Sequence, residues 1–279
     1  MKRAFLALIV ALLLSFNIFA VTYRQIEGDD EVGSRGTFLS TRPLPKASES
    51  QPKAQVKRTT PKSSRNNPRK LVSAMGVGYT IYKKNAQGQA VRVAPDQEFH
   101  SGDAVRITIE PNIAGYLYIF HTENQGKAEM IFPDQRLNGG DNQVTAHVSY
   151  EVPSSKAPDA ALRWFVFDSV AATEHIYVVI AKQPLAGVPT KDQLSRYCQS
   201  AACPWQPPDN IWQELQNLAA QHSQTSRAKE QGQAQSDLEQ QSISRGFSLT
   251  QDAPEPSVIS MNPAPQAQTF VIPISLVHK

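Results

Sequence analysis

Between positions 75 and 185 apolar and polar residues alternate with a period of two, in short runs. Val105, Ile107 and Ile109 alternate with Arg106, Thr108 and Glu110, and Val144, Ala146 and Val148 alternate with Gln143, Thr145 and His147. A strand sends successive side chains to opposite faces, so each run predicts a strand with one wet face. The same reading predicts strands over Val77–Lys83, Ala90–Val93, Gly115–Thr122, Lys127–Phe132, Arg163–Asp168 and Glu174–Lys182. Turn-forming residues separate them, at Asn85–Gly88, His100–Asp103, Glu110–Asn112, Glu123–Gly126 and Asn138–Asn142. Many short strands with regular turns and no helical period among them predict an all-β fold. The expectation is an Ig-like antiparallel β-sandwich over residues 71–197.

Two of these strands are apolar on both faces. Leu117 and Ile119 oppose Tyr116, Tyr118 and Phe120, and Trp164 and Val166 oppose Phe165 and Phe167. Such strands are either covered on the second face or present an aromatic surface to a partner. Tyr116, Tyr118, Phe165 and Phe167 are therefore the candidate ligand-binding residues. A cover is available in 198–223, where Ile211, Leu215, Leu218 and His222 mark one face of a short helix capped by Asp209 or Asn210. Residues 224–267 are rich in Gln, Ser and Pro and are expected to form a disordered, dispensable excursion. In 268–279, Phe270, Ile272, Ile274 and Leu276 alternate again, predicting a strand that returns to the sandwich. Pro273 would put that strand at an edge.

Charge changes the picture at the N-terminus. The 279 residues carry a formal +3, yet residues 22–70 alone hold eleven basic residues against five acidic ones. Lys2 and Arg3 precede an almost wholly apolar run from Ala4 to Val21, which reads as a signal peptide or as an N-terminal membrane anchor. Either reading exports the remainder to the periplasm or cell envelope. Residues 22–70 are punctuated by prolines, lack apolar periodicity and are expected to be a disordered linker. Within them Lys46–Lys70 holds eight basic residues against Glu49, which suits either a solvated tether or contact with an anionic envelope surface. That stretch has no aromatic residues for base stacking, so nucleic acid is not expected as a partner. Cys198 and Cys203 are the only cysteines, and in an exported chain they predict a local disulfide.

Candidate chemistry is sparse. No serine occupies a Gly-x-Ser-x-Gly elbow, no Gly-rich loop opens a helix, and no histidine pair has metal-ligand spacing. Histidines 100, 121, 147 and 175 are scattered, and a Ser-His-Asp arrangement across strands stays open. Asn138–Asn142 lacks the acidic ladder of a calcium loop. No cofactor or metal is expected. The runs Gly78–Tyr82, Phe99–Asp103, Gly115–Phe120, Ile131–Asp134, Glu151–Pro153 and Trp164–Asp168, with Thr173-Glu174 through Pro184-Leu185, resemble the bacterial domain of unknown function 4384. The resemblance covers about residues 75–190. It departs at Ala171-Ala172, where Pro-Gly is expected. It implies an accessory module of envelope or secreted proteins, or an appendage to signalling and protease-like domains, and carries no catalytic residues with it. The expected function is a non-catalytic interaction module; the alternative is a carbohydrate-binding or hydrolase-like domain using the aromatic strand face.

Overall fold

The computed structural model describes residues 27–45 and 74–279, apart from positions 202 and 229. The apolar leader or anchor at 1–21 and the basic stretch Lys46–Lys70 lie outside the described residues. Two sheets face each other as a β-sandwich. The first runs β11 (Gln224–Arg227), β12 (Val258–Met261), β1 (Gly76–Lys84), β4 (Ala104–Pro111) and β8 (Tyr150–Val152). Beside β1 lies β2 (Ala90–Arg92), and beside β4 lies β9 (Phe165–Val166). The second runs β3 (Glu98–Phe99), β13 (Thr269–His278), β10 (Ala172–Ala181), β5 (Gly115–Glu123) and β6 (Glu129–Phe132), with β7 (Gln143–Val144) beside β5. Every strand pairing is antiparallel except β3 with β13.

The alternating residues meet between the sheets. Val77, Tyr79 and Ile81 of β1 and Val105, Ile107 and Ile109 of β4 pack against Leu117 and Ile119 of β5 and Ile176, Val178 and Ile180 of β10. Phe270, Ile272, Ile274 and Leu276 of β13 complete this core. Their burial at about 1.5–3 kcal/mol each makes the last strand a large contributor, because a whole domain is stable by only about 5–15 kcal/mol. Pro273 faces solvent opposite Tyr177, and only Val277 and His278 of β13 have a second strand neighbour.

Both outer faces are covered, each by different chemistry. Over the second sheet, Tyr118, Phe120, Val179 and Val271 pack beneath α2 (Lys191–Ser200) and α3 (Asp209–Ala219), through Leu194, Trp212 and Leu215. Cys198 and Cys203 form a disulfide with Cα atoms 5.2 Å apart, and Met130 N donates to Trp205 O at 2.8 Å just beyond it. The first sheet is polar outside. Thr80, Thr108, Glu110, Glu151 and Ser226 point from it and are all buried, with Ile259 and Met261 beside them beneath Phe38. Its cover is α1 (Glu27–Ser40), α4 (Asp237–Arg245) and the chain around Pro256. A Cβ at Gly76 would lie 3.0 Å from Phe38 Cδ2, and one at Gly78 2.4 Å from Pro256 Cγ, so these two glycines make room for the cover.

Several expectations are corrected here. Residues 27–40 of the supposed disordered linker are helical, because Phe38 and Arg42 anchor them to the first sheet. The 224–267 excursion contains β11, α4 and β12. Its helix is fixed by a capping box between Ser236 and Glu239 and ends on Gly246 in the left-handed conformation. The run 143–148 is a strand only at Gln143–Val144; His147 has φ +60°, which turns the chain. Arg163–Asp168 is reduced to β9, preceded by a 3-10 turn over Ala160–Arg163 capped by Asp159.

Candidate functional site

The four aromatic candidates do not share a face. Tyr118 is fully buried under the helices, where its hydroxyl accepts from Leu185 N at 3.0 Å, and Tyr116 packs at the edge of the same cluster. Phe167 lies in the inter-sheet core, stacked on Phe99 at 4.9 Å, and Phe165 packs against that core from its rim. The proposed aromatic platform is thus divided between the two sides of the second sheet. Helix and sheet alike bury their apolar faces, and no exposed aromatic strand face is left.

Phe165 instead belongs to a cavity of about 330 Å³ at the open side of the sandwich, between β6 and the β8–β9 region. Trp164, Phe165, Trp205, Phe132, Leu137 and Leu162 supply most of its apolar wall, with prolines 133, 153, 158 and 204 around them. Prolines here leave fewer backbone N–H groups at the wall, which keeps it apolar. At the rim Arg136 Nε donates to both oxygens of Asp134 at 2.9 Å, and that carboxylate raises the guanidinium above its usual value. Leu162 at the mouth is 38% exposed. No histidine lines the cavity, and Cys203 there is consumed by the disulfide.

The residues with the richest polar chemistry lie elsewhere. Arg42 forks onto Glu110, Nε to Oε1 at 2.9 Å and Nη2 to Oε2 at 2.7 Å, and also donates to the carbonyls of Ala253 and Pro254. His147 Nδ1 lies 2.8 Å from Glu110 Oε1, and its Nε2 lies 2.8 Å from Thr41 Oγ1. Hydroxyl, imidazole and carboxylate thus stand in the order of a hydrolytic triad. The chemistry differs, because Thr41 donates its one hydroxyl proton to Phe38 O at 2.6 Å. His147 Nε2 must then donate to Thr41, and a donor there cannot act as the general base. His147 is also 2% exposed and edge-packed on Phe38, while the cavity beside Glu110 is about 10 Å³, scarcely room for a water. The arrangement locks α1 onto the first sheet.

Two further polar groups were not anticipated. Tyr82 OH and Arg92 Nη2 both donate to Glu239 Oε1 at 2.6 Å, fastening α4 to the same sheet. Glu174 is bracketed by His278 Nε2 at 3.1 Å and by His121 Nε2. Among the described residues no group of three or more His, Cys, Asp or Glu side chains is arranged to hold a metal ion. The Ser236-x-x-Glu239 spacing is the signal that would have revealed α4. The cavity left no signal in sequence, since its lining is drawn from within 130–137, 151–165 and 203–205 and from Leu194.

In comparison with known proteins, residues 98–184 match the family described as Domain of unknown function (DUF4384). No curated protein and no solved structure matches the chain. The matched segment runs from β3 through the end of β10 and includes most of the cavity wall. Residues 98–184 of this chain are thus similar to the DUF4384 family of domains of unknown function.

Proposed function

We propose that the protein is a non-catalytic interaction module of the bacterial cell envelope that holds an apolar anchor of its partner in the cavity beside β6. One observation carries this reading: the cavity joins an aromatic and proline wall to an open, polar-rimmed mouth. The finer fold is Ig-like, with both sheets extended by strands from the C-terminal third. Export follows from the apolar leader or anchor, and the Cys198–Cys203 bridge suits an oxidising compartment. The basic stretch Lys46–Lys70 adds electrostatic contact with an anionic envelope surface.

The test is a titration of the purified full chain with the apolar dye anilinonaphthalene sulfonate, read by dye fluorescence. Saturable binding is expected, weakened about tenfold by Leu162→Asp at the mouth and by Ala157→Trp, which fills the cavity. Both variants binding the dye as the parent does would remove the cavity from the account.

A further inference from the structure

A second and larger concavity, of about 750 Å³, lies on the other side of Trp164. It is bounded by α4, by Gln89 and Ala90 at the β1–β2 turn, and by Ser155 and Lys156 after β8. Its character is unlike that of the apolar cavity, because four glutamines line it together with Arg106, Lys156 and Asp237. We propose that this cleft binds a neutral carbohydrate chain, with Trp164 as the stacking platform and Gln89, Gln240 and Gln241 reading the hydroxyls. The proposal does not rest on the apolar anchor site, although the two sites share Trp164.

Trp164 is held rigidly. The Arg106 guanidinium stacks 3.7 Å from the ring centroid, and is itself fixed by donating to Arg163 O at 2.6 Å and to Glu151 at 3.3 Å. Arg106 takes one face of the indole, so a sugar ring would stack on the other, and an immobilised indole loses little entropy in accepting it. Sugar hydroxyls are donors and acceptors at once, and primary amides answer both roles. The amides here have capacity to spare. Gln241 has no side-chain hydrogen bond among the described residues, Gln240 uses only Nε2, and Gln89 uses only Oε1.

The charges around the cleft are of mixed sign. Arg106 is committed to Glu151 and the indole, and Lys156 Nζ donates to the carbonyls of Ile243 and Ser244 at the end of α4. Asp237 remains in the lining as a carboxylate with no ion-pair partner among the described residues. Lys156 and Lys84, whose Nζ lies 6.0 Å from the Trp164 centroid, are likewise cations without an ion-pair partner among the described residues, so charge is balanced here and it is the amides and the ring that suit a neutral chain.

The experiment is isothermal titration of the full chain with three soluble probes: a β-1,4-linked glucose oligomer, an N-acetylglucosamine oligomer and an oligogalacturonate. Saturable binding of at least one neutral probe is expected. Trp164→Ala should weaken it about tenfold or more, and the surface pair Gln240→Ala/Gln241→Ala several-fold. The double Gln variant keeps the test decisive if Trp164→Ala fails to fold. Leu162→Asp should leave carbohydrate binding unchanged while weakening the dye, so the two sites are separable. Absence of saturable binding by both neutral probes, tighter binding of the oligogalacturonate, or unchanged affinity in the double Gln variant overturns the proposal.

Discussion

Glu110 accepts two hydrogen bonds from Arg42 and contacts His147 while almost wholly withdrawn from water. A buried carboxylate of this kind is stable only while its cation is present, and a cation left alone is equally costly. Glu110→Gln should therefore lower unfolding free energy by about 3–5 kcal/mol in denaturant titration, while the paired change Arg42→Met/Glu110→Leu should recover most of that loss. A loss below about 1 kcal/mol for Glu110→Gln would mean the pair is solvated. Tyrosines give a second residue-scale prediction. Burial raises Tyr79 from 10.0 to about 12 against the opposing Arg227, and burial followed by Glu239 raises Tyr82 too. Above about pH 10 the unfolded chain releases these protons while the folded chain retains them. The stability they contribute is complete below pH 10 and falls as pH climbs toward 12. Denaturation curves from pH 8 to about 11 should show a shallower alkaline decline for Tyr82→Phe than for the parent; parallel declines contradict the assignment. None of these contacts was legible in the sequence. Arg42 and Glu110 are separated by 68 positions and Tyr82 and Glu239 by 157, and composition does not report such pairings.

Among the elements, those built by alternation were legible and those built by docking were not. The period-two runs of 77–83, 105–109 and 115–122 correspond to β1, β4 and β5, since each buries its apolar set between the sheets. Alternation misled at 143–148, where His147 turns away to meet Glu110 and Thr41. The helix α1 contains Gly33 and Gly36 and has little apolar periodicity, so tertiary contacts hold it: the seat of Phe38, the grip of Arg42, the Thr41–His147 contact and the bonds of Arg35 to Ser226 and Glu255. Polar composition likewise concealed β11 and α4, and β12 is a four-residue, mostly apolar run among prolines and serines. Their burial follows from the polar outer face of the first sheet, which calls for a polar cover. Residues 224–262 are therefore not dispensable. Their deletion removes the strand beside β1 and the Glu239 partner of Tyr82 and Arg92. The shortened chain should lose its cooperative thermal transition and protease resistance. A truncated protein melting like the parent would show that these elements do not belong to the sandwich.

For the molecule as a whole, the matched segment is not a complete folding unit. Residues 98–184 lack β1, the strand between β12 and β4, and β13, the full-length partner of β10. Both lie outside the segment yet supply much of the inter-sheet core. The candidate site was legible only in its materials: Phe165 was singled out, but the aromatic face assigned to it dissolved once the backbone divided those residues between two sides of a sheet. The central claim is that the apolar cavity beside β6 is where a ligand enters. The three tryptophans test it directly, because Trp164 and Trp205 line that cavity and Trp212 packs away from it, between Phe120 and Tyr177. In the fluorotryptophan-labelled full chain, saturation with anilinonaphthalene sulfonate should shift the Trp164 and Trp205 fluorine resonances and leave Trp212 in place. A shift confined to Trp212, or no shift of Trp205, would contradict the account.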